Sequence, residues 1–147
     1  MGLFDKVLGK ESGTITLNNA EAFAAVGVAA VAVDGDISPE EIHRIVTDLV
    51  TLRAFRKHDL KDLSSTLNKV AGLIKKRGTG PVFEVVKTTL TKEETQAAFF
   101  IAADLVLADG VVEPEEKKFL EDLQNTLELD DATALKIVEV VSMKNSA

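Results

Sequence analysis

The chain has no cysteine among its 147 residues, which excludes disulfides, zinc-thiolate centres and thiol nucleophiles. Histidine is almost absent as well: His43 and His58 are the only two, and neither stands with a Ser or Asp in a recognisable nucleophile motif. His43 is two residues from Glu41, so on a helix the two face different ways, and both histidines read as surface side chains rather than as bases or ligands. There is no glycine-rich phosphate loop, no His-x-x-x-His pair and no dinucleotide fingerprint. A basic excess is lacking too. The formal charge is −7, which argues against nucleic acid as the main partner and favours cations and basic partners.

The longest apolar run, Ala22 to Val33, is about half of what a membrane span requires. The start lacks a charged segment followed by an apolar core and a small-residue cleavage site, so the expected location is the cytoplasm. Met1-Gly2 would suit a myristoylation signal, but Lys6 stands where Ser or Thr is expected. Proline is scarce, with three in all, and Pro39, Pro81 and Pro114 each fall near an expected helix start. Only Thr14-Ile15-Thr16-Leu17 alternates as a strand would.

What is present is a repeat. Asp34-Gly35-Asp36-Ile37-Ser38-Pro39-Glu40-Glu41 returns as Asp109-Gly110-Val111-Val112-Glu113-Pro114-Glu115-Glu116, offset by 75 residues. Each copy follows an apolar helix and opens an amphipathic one, which marks an internal duplication. The spacing resembles the second half of an EF-hand loop, with an oxygen ligand, a Gly, an inward aliphatic residue and a Glu in order. Ala30, Ala32, Leu105 and Leu107 occupy the upstream ligand positions, so a true EF-hand is rejected.

Two readings of the repeat stay open. Gly35 and Gly110 suit left-handed helix ends, and Ser38-Pro39-Glu40-Glu41 is a capping box with proline at the first helical position. The second copy has Glu113 in place of Ser38, a poorer cap. Capping does not call for Asp before Gly twice. The alternative is that Asp34, Glu41, Asp109 and Glu116, with Asp104 as a further candidate, also present hard oxygens to a divalent cation such as calcium or magnesium. Asp104 is a lone carboxylate among a dozen apolar residues, costly to bury without a partner, so it requires solvent, a Lys or Arg, or a metal. Its counterpart in the first copy is Ala29, which weighs against two equal sites.

At these residues the sequence resembles the TerB family of tellurite-resistance proteins. The likeness includes the start Met1-Gly2-Leu3-Phe4-Asp5-Lys6, the apolar helix ending in Val33-Asp34-Gly35, and the second ending in Ala108-Asp109-Gly110. It implies a cytoplasmic component of a tellurite and chemical-stress resistance system, associated with other tellurite-resistance proteins. Those include a membrane-embedded one and calcium-binding ones, so recruitment to the inner face of the membrane is part of the expectation.

The chain as a whole reads as one all-α domain of about seven helices over residues 18–147, preceded by an N-terminal segment 1–17 whose cluster Leu3, Phe4, Val7 and Leu8 would dock on the body. With 46% hydrophobic and 28% charged residues, the chain is long enough to bury a sizeable core. Two helical-hairpin repeats, about 19–57 and 92–128, are expected to pack about a pseudo-twofold with their core helices adjacent. Asn18 or Asn19, Asp59, Thr91 and Asp130 are the expected caps of the remaining helices. Residues 53–77 hold eight Lys or Arg, and residues 104–131 hold ten Asp or Glu, so a basic and an acidic side are expected. The function expected is a non-enzymatic cation-binding or adaptor protein. The rivals are a metal-free helical interaction module and a metal-dependent hydrolase.

Overall fold

Polar residues with short side chains set the helix starts. In the computed structural model, which describes residues 13–32, 37–108 and 110–147, Asn18 Oδ1 accepts from the Glu21 amide at 2.8 Å and Glu21 Oε1 accepts from the Asn18 amide at 2.9 Å. The same reciprocal box joins Ser38 to Glu41, Asp59 to Asp62 and Thr91 to Glu94. Each satisfies amides that the first helical turn leaves without partners.

Among the described residues there are seven α-helices: α1 (Asn19–Val31), α2 (Pro39–Leu49), α3 (Leu60–Arg77), α4 (Thr79–Thr89), α5 (Lys92–Val106), α6 (Pro114–Thr126) and α7 (Asp131–Asn145), with a 3₁₀ turn at Arg53–Phe55. No strand occurs among the described residues, and Thr14 to Asn18 are irregular. Leu17 nonetheless enters the core. The cluster Leu3, Phe4, Val7 and Leu8 lies outside the described residues.

The core sits around α1, whose residues from Ala22 to Val31 are all buried. Helices α2, α3, α4 and α5 pack against it, which is what a helix apolar on every face requires. A Cβ on Gly27 would lie 3.3 Å from Ile45 Cγ2 and 3.8 Å from Leu105 Cδ1, so the missing side chain is what lets α2 and α5 approach. Helix α5, the second core helix, packs on α1, α2, α6 and α7. The two core helices are therefore adjacent, as expected from the apolar surface of each hairpin. Asn19 and Glu94, which correspond under the 75-residue offset, meet through a 2.6 Å hydrogen bond at their N-terminal ends.

Three details differ from the sequence expectation. Helix α2 stops at Leu49 rather than near Lys57. An unbroken helix would carry Phe55 roughly 80° away from the Ile45 line; the 3₁₀ turn instead returns Phe55 to the core. Ile42 and Leu60, which helical spacing groups with the inward apolar residues of their helices, are 43% and 74% exposed, each lying in the first turn of its helix. Leu135, which the same spacing groups with Val138 and Val141, is 60% exposed, because α7 presents Ala134, Ile137, Val138 and Val141 to the core and Leu135 is about 100° on from Ala134.

Helix ends follow the glycine expectation where they are described. Gly78 ends α3 at φ +81°, and Gly110 adopts φ +77° after α5, backbone conformations that favour a residue without Cβ. Gly35 lies outside the described residues. Among the described residues no helix is long and apolar enough to cross a membrane.

Candidate functional site

The last turn of α5 carries Asp104, whose side chain is only 7% exposed. Its partner comes from the other end of the second half: Lys144 Nζ, in the last turn of α7, donates to Asp104 Oδ1 at 2.9 Å and to Oδ2 at 3.2 Å. Asp48, on α2, lies within hydrogen-bonding reach of the same carboxylate. Three helices thus converge on one buried charge.

The end of α5 supplies more than Asp104. The Arg44 guanidinium donates to the Leu105 carbonyl, and Asn145 Nδ2 donates to the Leu107 carbonyl at 3.4 Å. The end of a helix leaves its last carbonyls without intrahelical partners, and cations are favoured there by the helix dipole; the Leu107 carbonyl also accepts from the Gly110 amide at 3.2 Å. Arg44 and Asp48 are four residues apart on α2, one turn above the other, so a single helical stripe serves both the carbonyl and the carboxylate. Above them opens a cleft of ≈ 290 Å³, lined by His43, Arg44, Thr47, Asp48, Asp104 and Lys144 among others.

Burial, then the hydrogen bond and charge of Asp104, push the Asp48 carboxyl up to about 7. Burial opposes ionisation of Asp104 as well, but the Lys144 ammonium and the hydrogen bond to Asp48 outweigh it and hold Asp104 below the usual carboxylate range. Two carboxyls so placed titrate as a pair, and near neutrality one proton is shared between them, residing chiefly on Asp48. The protonated Asp48 can then donate to ionised Asp104.

The capping glutamates lie at the duplicated turns. Glu41 Oε1 accepts from the Ser38 amide at 2.9 Å, while the Glu41 amide donates to Ser38 Oγ at 3.1 Å. Glu116 Oε1 accepts from the Glu113 amide at 2.9 Å. Each bond engages one carboxylate oxygen. Asp34 and Asp109 lie outside the described residues. Among the described residues, no three His, Asp or Glu side chains gather as a metal site would require, so Glu41, Asp104 and Glu116 do not form one cluster.

The sequence singles out Asp104 and offers a Lys or Arg as one partner, but the helical period alone puts Arg44 and Asp48 outside the apolar set Ile42, Ile45, Val46 and Leu49, and Lys144-Asn145-Ser146-Ala147 reads as a fading helix end. The available signal was the Arg44-Asp48 spacing facing an apolar helix that carries one acid. His43 is exposed on the cleft rim, as a surface side chain would be, whereas His58 is half-buried, its ring 5.2 Å from that of Phe55 and its Nδ1 buried without a hydrogen-bond partner among the described residues.

No curated protein and no solved structure matches the chain. The family described as tellurite resistance protein TerB matches residues 20–137, from the start of α1 through both Asp-Gly turns and into α7. With most of its length under that match and an all-helical fold that agrees with it, the chain belongs to the TerB family of tellurite-resistance proteins.

Proposed function

We propose that this TerB-family domain is a non-enzymatic, cation-binding adaptor of a tellurite and chemical-stress resistance system, working in the cytoplasm and recruited to the inner face of the membrane through other tellurite-resistance proteins, one of them membrane-embedded. The observation that carries the cation half is the repeated position of Glu41 and Glu116. Each stands at the third position of a proline-led helix, seven residues after the Asp of an Asp-Gly pair in the sequence, and each capping bond engages one oxygen of a group that has two. With Asp34 and Asp109 they form a set of hard oxygens suited to calcium or magnesium rather than to zinc or copper. Asp104, with both oxygens on Lys144, serves in this reading as the support beneath the second turn.

The non-enzymatic half rests on the polar cleft. Asp48, Asp104 and Lys144 are committed to one another, and Arg44 to a backbone carbonyl, an arrangement that fixes helices rather than activates a substrate. A metal-free interaction module is the second reading, favoured by the sufficiency of capping for Glu41 and Glu116. Calorimetric titration of chelator-treated protein with calcium and magnesium separates the two. Binding that is weakened in Asp34→Asn and Asp109→Asn supports the cation site; no heat and no thermal shift at millimolar cation leaves the interaction module.

A further inference from the structure

A second depression runs along α6 from Val112, just before its cap, to Gln124. Helices α6 and α7 leave between them an open groove of ≈ 350 Å³, walled by Phe99, Val112, Leu120, Ala134, Leu135 and Val138. Leu135 stands 60% exposed on its edge, although α7 has an apolar face already packed on the core. Phe99, Leu120 and Ala134 form a buried floor and Val112 and Val138 are half-buried, so it is chiefly Leu135 whose exposure costs free energy that a docked partner recovers.

The rim is polar, with two acids to one cation. Glu121 and Asp131 line the groove together with Lys117 and Gln124, Gln124 Nε2 donating to Asp131 Oδ1 at 2.8 Å, and Glu115 and Asp122 are exposed on the same helix as Glu121. Lys118, the neighbouring cation, is paired with Asp122 at 3.3 Å. Residues 104 to 131 hold ten acids and two lysines. A second copy docked by the same face would bring two such acidic rims together, as an isologous contact requires, and an anionic lipid surface would be repelled.

We propose that the α6–α7 groove is the docking site for an amphipathic segment of a partner protein, one whose apolar stripe is flanked by lysines and arginines. The apolar stripe fills the groove between Leu120 and Leu135, and the basic flanks meet Glu121 and Asp131, the arrangement by which helical segments are recognised in grooves. The proposal rests on the adaptor half of the function above and is independent of its cation half.

The test is fluorescence anisotropy of a labelled helical peptide of leucine and lysine against the full-length protein. Binding is expected, with a Kd raised about tenfold or more in Leu135→Glu and raised also in Glu121→Lys. Leu135→Glu adds negative charge, so attraction by charge alone would strengthen in this variant, and that result overturns the proposal. So does equal binding of a lysine and serine peptide of the same charge, or no binding of the leucine and lysine peptide. Self-association of the wild type that Leu135→Glu abolishes would assign the groove to a second copy and overturn it too; binding of anionic vesicles lost in Leu135→Glu would do the same in favour of a membrane. Circular dichroism confirms that each variant is folded, and Leu135→Ala, which removes the side chain without adding charge, must weaken binding in the same direction.

Discussion

Lys144 Nζ stands 2.9 Å from Oδ1 and 3.2 Å from Oδ2 of Asp104, tying the end of the last helix to the end of the second core helix. The pair is one-sided in its exposure: the Lys144 side chain is 57% exposed and that of Asp104 is 7% exposed. Its worth lies in satisfying the buried carboxylate, since an ion pair open to water on one side gains little from charge alone.

Lys144→Met is accordingly expected to destabilise the fold by about 1–3 kcal/mol, the cost of stranding a buried polar group, and not by the larger amount that a fully desolvated pair would lose. Chemical denaturation reads this directly. An unchanged midpoint would show that solvent reaches Asp104 without Lys144. The double variant Asp104→Asn with Lys144→Met is expected to recover part of the loss, because a neutral amide is cheaper to bury than a charge.

The carboxyl pair gives stability a dependence on pH with a definite sign. Asp48 ordinarily titrates at 3.8 and is pushed up to about 7 in the fold, so between those values the native state holds a proton that the unfolded chain has lost. Stability contributed by Asp48 is then full below pH 4 and declines as pH rises through 7. Asp104, held below its ordinary value, has the opposite sign: its contribution is present above pH 4 and fades as pH falls further. Thermal melts from pH 4.5 to 8 should therefore show Asp48→Asn gaining on the wild type as pH rises. Parallel curves across that range would mean that the pair does not share a proton.

The absence of a side chain at Gly27 lets α2 and α5 close on α1. Gly27→Val is expected to cost about 1–3 kcal/mol through overpacking against Ile45 and Leu105, a loss measurable in the urea midpoint. A variant as stable as the wild type would show that these helices can move apart freely.

The cap at Ser38 is reciprocal and partly buried. Ser38→Ala is expected to cost about 1 kcal/mol, and Glu113→Ser at the corresponding place in the second repeat to be neutral or stabilising. If calcium or magnesium binds at the turns, adding it at about 100 times Kd should raise stability by about 2.7 kcal/mol in the wild type and by less in Asp109→Asn. An equal gain in both would put the cation elsewhere.

Residues close in sequence determined much of this protein by themselves. Caps at Asn18, Ser38, Asp59 and Thr91, the glycine stops at Gly78 and Gly110, and the two helices too apolar to be anything but enclosed were all legible, because capping and periodicity are decided within one or two turns of chain. The 75-residue repeat was legible for the same reason and led to the TerB family. Tertiary structure decided the rest. The partner of Asp104 is 40 residues away, on a helix whose end looks like a solvated tail, and Asp48 and Arg44 look like outer-face residues until α5 and α7 are packed beside them. The exposed groove at Leu135 is likewise a property of two helices together. A periodic pattern says which residues are apolar, and only packing decides which of them the core has room to cover.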